Sequence, residues 1–242
     1  DVFYYLENPR NRITTWLDGL LEKKVLNDCN GLITVSKGFE SLLNDKSPIK
    51  SKSTVIYNGF DKDDFPKVEI EKNSKGQIII SHTGSLSKSQ NPVGLFEIRL
   101  KITIQLVGSV HPDILETIQQ LNIQQYVSIL PYQPHQKAIQ ILLASDFIFL
   151  IVPDQDKNKG IIPGKIFEYF KCQSEIMLIG KKNSDAASLA KEMGYQNIFE
   201  VNEKIDFNNL RINQSLDPES TSKFERKNLT ASLAKVFDEI NA

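Results

Sequence analysis

The stretch Gly160-Ile-Ile-Pro-Gly-Lys-Ile-Phe-Glu-Tyr-Phe170, followed by the apolar run Ile176-Met-Leu-Ile-Gly180, decides the fold. A Gly/Pro turn opens an apolar-faced helix over 163–171, and that helix feeds a short buried strand. Lys165 and Glu168 fall in the helix's first turn, just after Pro163-Gly164. A cation, a carboxylate and several backbone N–H groups without helical partners therefore meet at one helix N-terminus. Such an end binds phosphate, and a carboxylate beside it accepts hydrogen bonds from a sugar diol. A nucleoside diphosphate presents both groups. The competing reading is a solvent-facing ion pair at i, i+3, which the flanking turn and buried strand disfavour.

Outward from this stretch the pattern is regular. Strands are predicted at 77–82, 102–107, 126–130, 147–152, 175–179 and 197–201, with helices at 112–121, 136–144, 163–171 and 184–193. Strand and helix in alternation predict right-handed crossovers and a parallel sheet covered on both faces, an α/β Rossmann-like arrangement. Near-continuous apolar strands fit burial on both sides. One connection is short: between Asn91-Pro92 and Ile102 only about nine residues remain, too few for a usual helix with its loop. Either the connection is shortened, or residues are absent near Phe96–Lys101.

The N-terminal part reads differently. Ile13, Trp16, Leu17, Leu20, Leu21, Val25 and Leu26 recur at helical spacing over 8–28 and predict a core-facing stripe. Gly31–Val35 reads as a strand, Ser36 as the cap of a helix through Leu43, Thr54–Tyr57 as a strand, and Asn58-Gly-Phe-Asp61 as a turn. Residues 62–76 are charged, contain Pro66, and read as a linker. Pro218–Ile240 reads as a long amphipathic helix with a break near Asn228. The apolar start at Asp1-Val-Phe-Tyr-Tyr5 suggests a fragment of a longer protein.

Composition narrows the function classes. Hydrophobic residues make up 40% and charged residues 24%, with a net charge of -1. Without a basic excess, nucleic acid is not the expected partner. Cys29 and Cys172 lack His or Cys neighbours at metal-ligand spacing and suggest reduced thiols in a cytoplasmic protein. No apolar run is long enough to span a membrane, and no signal peptide is visible.

The first strand of the regular part ends in His82-Thr-Gly-Ser85, where Gly84 lets backbone approach a ligand at the sheet's carboxyl edge. One glycine is not a dinucleotide fingerprint, and a structural turn would look the same. Asp154-Gln-Asp156 could hold a divalent metal but lies in a polar, lysine-containing loop, where carboxylates are ordinarily just solvated. Asp61, Asp63 and Asp64 read as turn and linker residues. His111 and His135 each adjoin a proline at a helix start and read as capping or loop residues, whereas His82 could touch ligand. No hydrolase triad follows from spacing.

Gly31-Leu-Ile-Thr-Val-Ser36, Val55-Ile-Tyr-Asn-Gly-Phe-Asp61, His82-Thr-Gly-Ser-Leu86, Ala144-Ser-Asp146 and Gly164-Lys-Ile-Phe-Glu-Tyr169 occur in an order that resembles family-4 glycosyltransferases of the GT-B fold. The closest resemblance is to bacterial enzymes that build surface polysaccharides. It implies two Rossmann-like domains, with the nucleotide sugar held by the C-terminal one. Residues 1–65 would be the tail of the N-terminal domain and the junction, 66–217 the nucleotide-sugar-binding domain, and 218–242 a helix crossing back. Most of the N-terminal domain would be missing, and any peripheral membrane contact would be made through it. The resemblance implies a retaining transfer from a nucleotide-sugar donor to a glycan or lipid-linked acceptor, without cofactor or metal.

By position, Glu168 matches the ribose-binding glutamate, and the Gly84-Ser85 backbone the loop at the diphosphate. Gly164 and Lys165 lie beside the same charge, and Leu130 to Tyr132 near the base; no catalytic residue is assigned. Two departures stand out. Gly160 occupies the place of a second glutamate that contacts the donor sugar, and Ser85 and Gln90 replace basic residues, leaving Lys165 or Lys88 to supply that charge. These departures keep a non-catalytic binding or scaffold module as the alternative, with another enzyme on this fold, such as a sugar-nucleotide epimerase, as a third.

Overall fold

The computed structural model describes residues 11–48, 52–67, 70, 76–96, 102–154, 158–172, 174–210 and 218–241. In chain order these form α1 (Arg12–Asp28), β1 (Gly31–Thr34), α2 (Lys37–Lys46), β2 (Lys52–Val55), β3 (Ile78–Thr83), β4 (Ile102–Val107), α3 (Pro112–Gln120) and β5 (Val127–Leu130). There follow α4 (His135–Leu143), β6 (Phe147–Ile151), α5 (Lys165–Cys172), β7 (Glu175–Ile179), α6 (Asp185–Glu192), β8 (Asn197–Phe199) and α7 (Arg226–Asn241). β1 and β2 make a small parallel pair, and the remaining strands form a six-stranded parallel sheet in the order β5-β4-β3-β6-β7-β8. The chain enters this sheet at its centre, builds to one side, then crosses to the other. The crevice between the carboxyl ends of β3 and β6 is thus the topological switch point, where open α/β sheets bind ligands.

The expected α/β parallel sheet with both faces covered is present. Side chains alternate along a strand, so β6 sends Ile148, Leu150 and Val152 to one core and Phe147, Phe149 and Ile151 to the other. The first core holds Phe167, Phe170, Ala187 and Tyr195; the second holds Leu86, Leu95, Ile114 and Ile118. Helix starts follow side-chain chemistry. Ser36 accepts from Phe39 N at 3.1 Å, Ser184 from Ala187 N at 3.2 Å, and His111 Nδ1 from Asp113 N at 3.2 Å.

Several details differ from the sequence pattern. Asn11 caps α1, but Ile13, Trp16, Leu17, Leu20, Leu21 and Val25 are exposed, and Leu26 alone of the helix is buried. The described residues leave that stripe uncovered; residues 1–10, including the start expected at Asn8, lie outside them. The β3–β4 connection carries 3-10 turns at Lys88–Gln90 and Val93–Phe96 and no α-helix among its described residues, while 97–101 lie outside these. The second strand runs over 52–55 rather than 54–57, in register with β1.

The C-terminal segment breaks at Glu225, not at Asn228. A 3-10 stretch Pro218–Phe224 precedes the break, and Phe60 clamps it: Phe60 N donates to Phe224 O at 3.1 Å and Arg226 N to Phe60 O at 3.0 Å. A side chain at Gly59 would overlap Phe224 O, which explains the glycine. Phe60 is buried, and Tyr57 packs on Phe167 and Phe224, so the segment around these two residues is part of the large sheet's core. From there α7 returns to the small sheet, where Glu239 pairs with Lys52 at 2.5 Å and Ile240 lies against Gly31.

Candidate functional site

At the carboxyl end of β3 the chain turns through Gly84, whose φ of +108° disfavours any side chain. Gly84 N donates to Val107 O at 2.7 Å, and Gly108 N to Leu130 O at 2.9 Å. A Cβ at Gly108 would come within 2.6 Å of Gly84 O. Two glycines therefore let adjacent strand ends close on each other and expose backbone at the crevice. Beside them opens a cleft of about 210 Å³, lined by Thr83, Gly84, Val107, Tyr132, Gln133, His135, Ala138, Ile139, Leu142, Lys165 and Glu168.

Lys165 Nζ donates to Thr83 O at 2.6 Å and lies directly over Gly84, where a Cβ would overlap it. Burial lowers its pKa, with Glu168 opposing. One turn on, the Glu168 side chain is 20% exposed, and its Oε1 stands 3.7 Å from His135 Nε2. The same nitrogen is 3.2 Å from Asp64 Oδ2. Burial pushes the Glu168 carboxyl upward, His135 and Arg226 pull it down, Asp64 pushes it up, and Lys165 pulls it down. A cation and a carboxylate one turn apart in the same cleft lining have the chemistry to accept a phosphate and a diol respectively.

Among the residues expected at the site, Gly84, Tyr132, Lys165 and Glu168 line the cleft. Tyr132 is 81% exposed, so its ring is free to stack on a planar ligand. Ser85 and Gly164 are exposed beside the cleft, and Leu130 contributes its carbonyl to the Gly108 turn rather than its side chain to the lining. The α5 terminus has fewer open donors than the sequence suggests: Ile166 N donates to Pro163 O at 3.0 Å and Phe167 N to Gly164 O at 3.3 Å. Lys88 is paired with Asp113 at 2.7 Å, and Gln90 reaches Ile151 O at 3.1 Å; neither lines the cleft.

The histidines sort differently from expectation. His111 caps α3, as its place before Pro112 suggests. His135 follows Pro134 but makes no cap; it faces Asp64 and Glu168 instead. His82 does not line the cleft. It is buried, stacked on Phe149 at 4.9 Å, and bonded through Nδ1 to Phe149 O at 3.1 Å; burial holds its pKa at about 3. His135 lines the cleft and Asp64 stands beside it; the sequence assigned neither to the site. Nothing in spacing links positions 64, 135 and 168, which only the fold brings together.

Gly160 has a structural reason. Its carbonyl accepts from Ser36 Oγ at 2.6 Å, and a Cβ there would lie 2.8 Å from Phe39 N and 2.9 Å from Gly38 C. The start of α2 fills the space a side chain would need, while Asp185 accepts from Gly38 N at 2.6 Å. Among the described residues no His, Cys, Asp and Glu cluster could hold a metal. Asp154 pairs with Lys181 at 3.2 Å, and Asp156 lies outside those residues. A larger cleft of about 460 Å³ opens between the small sheet and α7, and its charged side chains, Lys52 and Glu239, satisfy each other.

The chain is an α/β protein with a six-stranded parallel sheet covered by helices and a cleft at its topological switch point. Comparison with solved structures makes that specific: the chain has the fold of the GT-B glycosyltransferases. It superposes on HepE from Anabaena, solved with UDP and glucose, with a TM-score of 0.66 at 16% identity, covering 92% of this chain and 67% of that one. Sucrose-phosphate synthase from Thermosynechococcus elongatus gives 0.60 at 11% identity over 99% of this chain and 65% of that one. The lipopolysaccharide outer core galactosyltransferase WaaB gives 0.58 at 11% identity, covering 87% and 62%. The chain thus spans about two-thirds of the length of these structures. No protein-family model and no curated protein sequence matches it.

Proposed function

We propose that this chain is the donor-binding part of a glycosyltransferase that moves a sugar from a nucleotide sugar to a glycan or lipid-linked acceptor. The observation that carries the reading is the pairing, across one switch-point cleft, of Lys165 over Gly84 with Glu168 one turn away. Glu168 would accept the ribose hydroxyls. Lys165 and the Gly84-Ser85 backbone would hold the diphosphate, with Gly164 opening the helix beside it, and Tyr132 and the backbone near Leu130 would meet the base. Chemistry would rest on positioning and on electrostatic stabilisation of the departing diphosphate by Lys165 and the α5 dipole. The reading requires no cofactor or metal.

Residues 1–65 would belong to the acceptor side, 66–217 to the donor domain, and 218–242 to a helix returning to the acceptor side; the Glu239–Lys52 contact supports that return. Retention of configuration, a role in bacterial surface polysaccharide synthesis and a cytoplasmic location belong to the same reading. No described helix is long and apolar enough to cross a membrane, and membrane contact would be peripheral. One observation favours a second reading, a non-catalytic nucleotide-binding module: α2 leaves no room for a carboxylate at Gly160.

Calorimetric titration with UDP, GDP and ADP, with and without magnesium, tests the site. Metal-independent binding of one nucleotide, lost in Glu168→Ala and kept in Asp154→Ala, supports the assignment. Equal binding by wild type and Glu168→Ala refutes it. Transfer or hydrolysis of a nucleotide sugar by the full-length protein separates the enzyme from the module.

A further inference from the structure

His135 Nε2 stands between two carboxylates, 3.2 Å from Asp64 Oδ2 and 3.7 Å from Glu168 Oε1. Three elements meet there: the 3-10 turn Lys62–Asp64 after the junction, the first turn of α4, and α5. We infer that His135 is a positioning residue for nucleotide binding: braced by Asp64, its ring stands against Glu168 and holds that carboxylate in place at the cleft. The inference rests on the reading of Glu168 as the ribose acceptor. A vicinal diol donates two hydrogen bonds, and a carboxylate receives both with full strength only when ionised.

The surroundings of Glu168 favour a partner at that place. The side chain is largely buried, which favours the neutral acid. The charged groups facing it are Asp64 from the 3-10 turn, His135 from α4, Lys165 from its own helix and Arg226 from α7; His135 is the strongest of the cations. A carboxyl raised above its usual range loses its charge at higher pH than a free one. Diol affinity therefore falls as pH drops through that raised value. Removing the His135 charge moves this acid limb to higher pH, whereas removing the Asp64 charge moves it lower. A purely structural role for these two residues would not displace the limb in opposite directions.

The test is calorimetric titration of the chain with UDP, GDP and ADP between about pH 4.5 and 8, for wild type, His135→Gln, Asp64→Asn and Glu168→Ala. Each variant's affinity at pH 8 is its own reference. From there to the acid end of the range His135→Gln should lose about fivefold more affinity than wild type, the factor expected from one unit charge about 4 Å away in a solvated setting. Asp64→Asn should keep its affinity to lower pH than wild type. An unshifted limb in His135→Gln overturns the inference, as do shifts of the same sign in both variants. So does loss of binding at every pH by a folded His135→Gln protein, which would mean direct ligand contact. Nucleotide binding that survives Glu168→Ala, or its absence from wild type, overturns the ribose reading and the inference with it. Binding lost in Glu168→Ala with an unshifted His135→Gln limb overturns the inference alone.

Discussion

Replacing Gly160 by alanine adds one methyl group where the start of α2 leaves none. The new Cβ would stand 2.8 Å from Phe39 N and 2.9 Å from Gly38 C, both backbone atoms that cannot rotate away. Relief requires α2 to retreat, which stretches the Ser36–Gly160 and Gly38–Asp185 hydrogen bonds, each 2.6 Å long. Overpacking of this kind costs about 1–3 kcal/mol, and each weakened bond adds about 1 kcal/mol. Against this, alanine restricts the unfolded chain and returns about 0.4–1 kcal/mol. The net expectation is a loss of about 2–4.5 kcal/mol, or roughly 4–18 °C in melting temperature for a protein of this size. Urea unfolding followed by far-UV circular dichroism measures it, with Gly19→Ala as the control. Gly19 lies inside α1 with no atom within 4 Å of its added Cβ, so the same chemical change there should stabilise by about 1 kcal/mol. A Gly160→Ala protein as stable as wild type would refute the claim that α2 excludes a side chain.

Two further outcomes follow from the crevice. His82 stays neutral when folded, down to about pH 3, while in the unfolded chain it takes up a proton near 6.5. Its contribution is present above 6.5 and is lost as pH falls, at about 1.4 kcal/mol per pH unit between roughly 6 and 3. His82→Phe should therefore flatten the pH dependence of unfolding free energy by that slope, and an unchanged slope between pH 6 and 4 would contradict a buried neutral imidazole. Gly84→Ala forces a Cβ onto Lys165 Nζ and onto a φ of +108°. With strain of about 1–3 kcal/mol at that point, a nucleoside diphosphate should bind about tenfold more weakly while the parent nucleoside changes little. Equal losses for both would detach Gly84 from the diphosphate.

Much of the fold was legible because strand and helix periodicities are local properties. β4 and β7 begin and end at the residues the sequence pattern predicts, and the caps at Ser36 and His111 follow from side-chain chemistry within three residues. The failures arise where a distant segment decides. The break at Glu225 is set by Phe60, 165 positions earlier in the chain, and Asn228 only looked like a breaker. The stripe of α1 has helical spacing whether or not anything covers it, so periodicity predicts the helix but not its burial. At the site, Lys165 and Glu168 were readable because both lie in one turn after Pro163-Gly164. His135 was read as a capping or loop residue because its partners, Asp64 and Glu168, are remote in sequence.

Lys165 and Glu168 share one electrostatic problem, which a bound phosphate and diol would relieve. Burial makes it costly to keep Lys165 charged and costly to keep Glu168 charged, and each partly offsets the other's penalty. Without ligand, Lys165 rests on Thr83 O, a neutral acceptor at the end of β3. A phosphate at Gly84 would replace that carbonyl with an anion over almost no distance, because Nζ already lies above the glycine. Glu168 would likewise exchange a longer 3.7 Å contact with His135 for two hydroxyl donors. Little side-chain movement is needed at either residue, so less of the binding free energy goes to ordering the site. That pre-set geometry is why single substitutions at Gly84, His135 or Glu168 are expected to alter affinity for one chemical part of the ligand at a time.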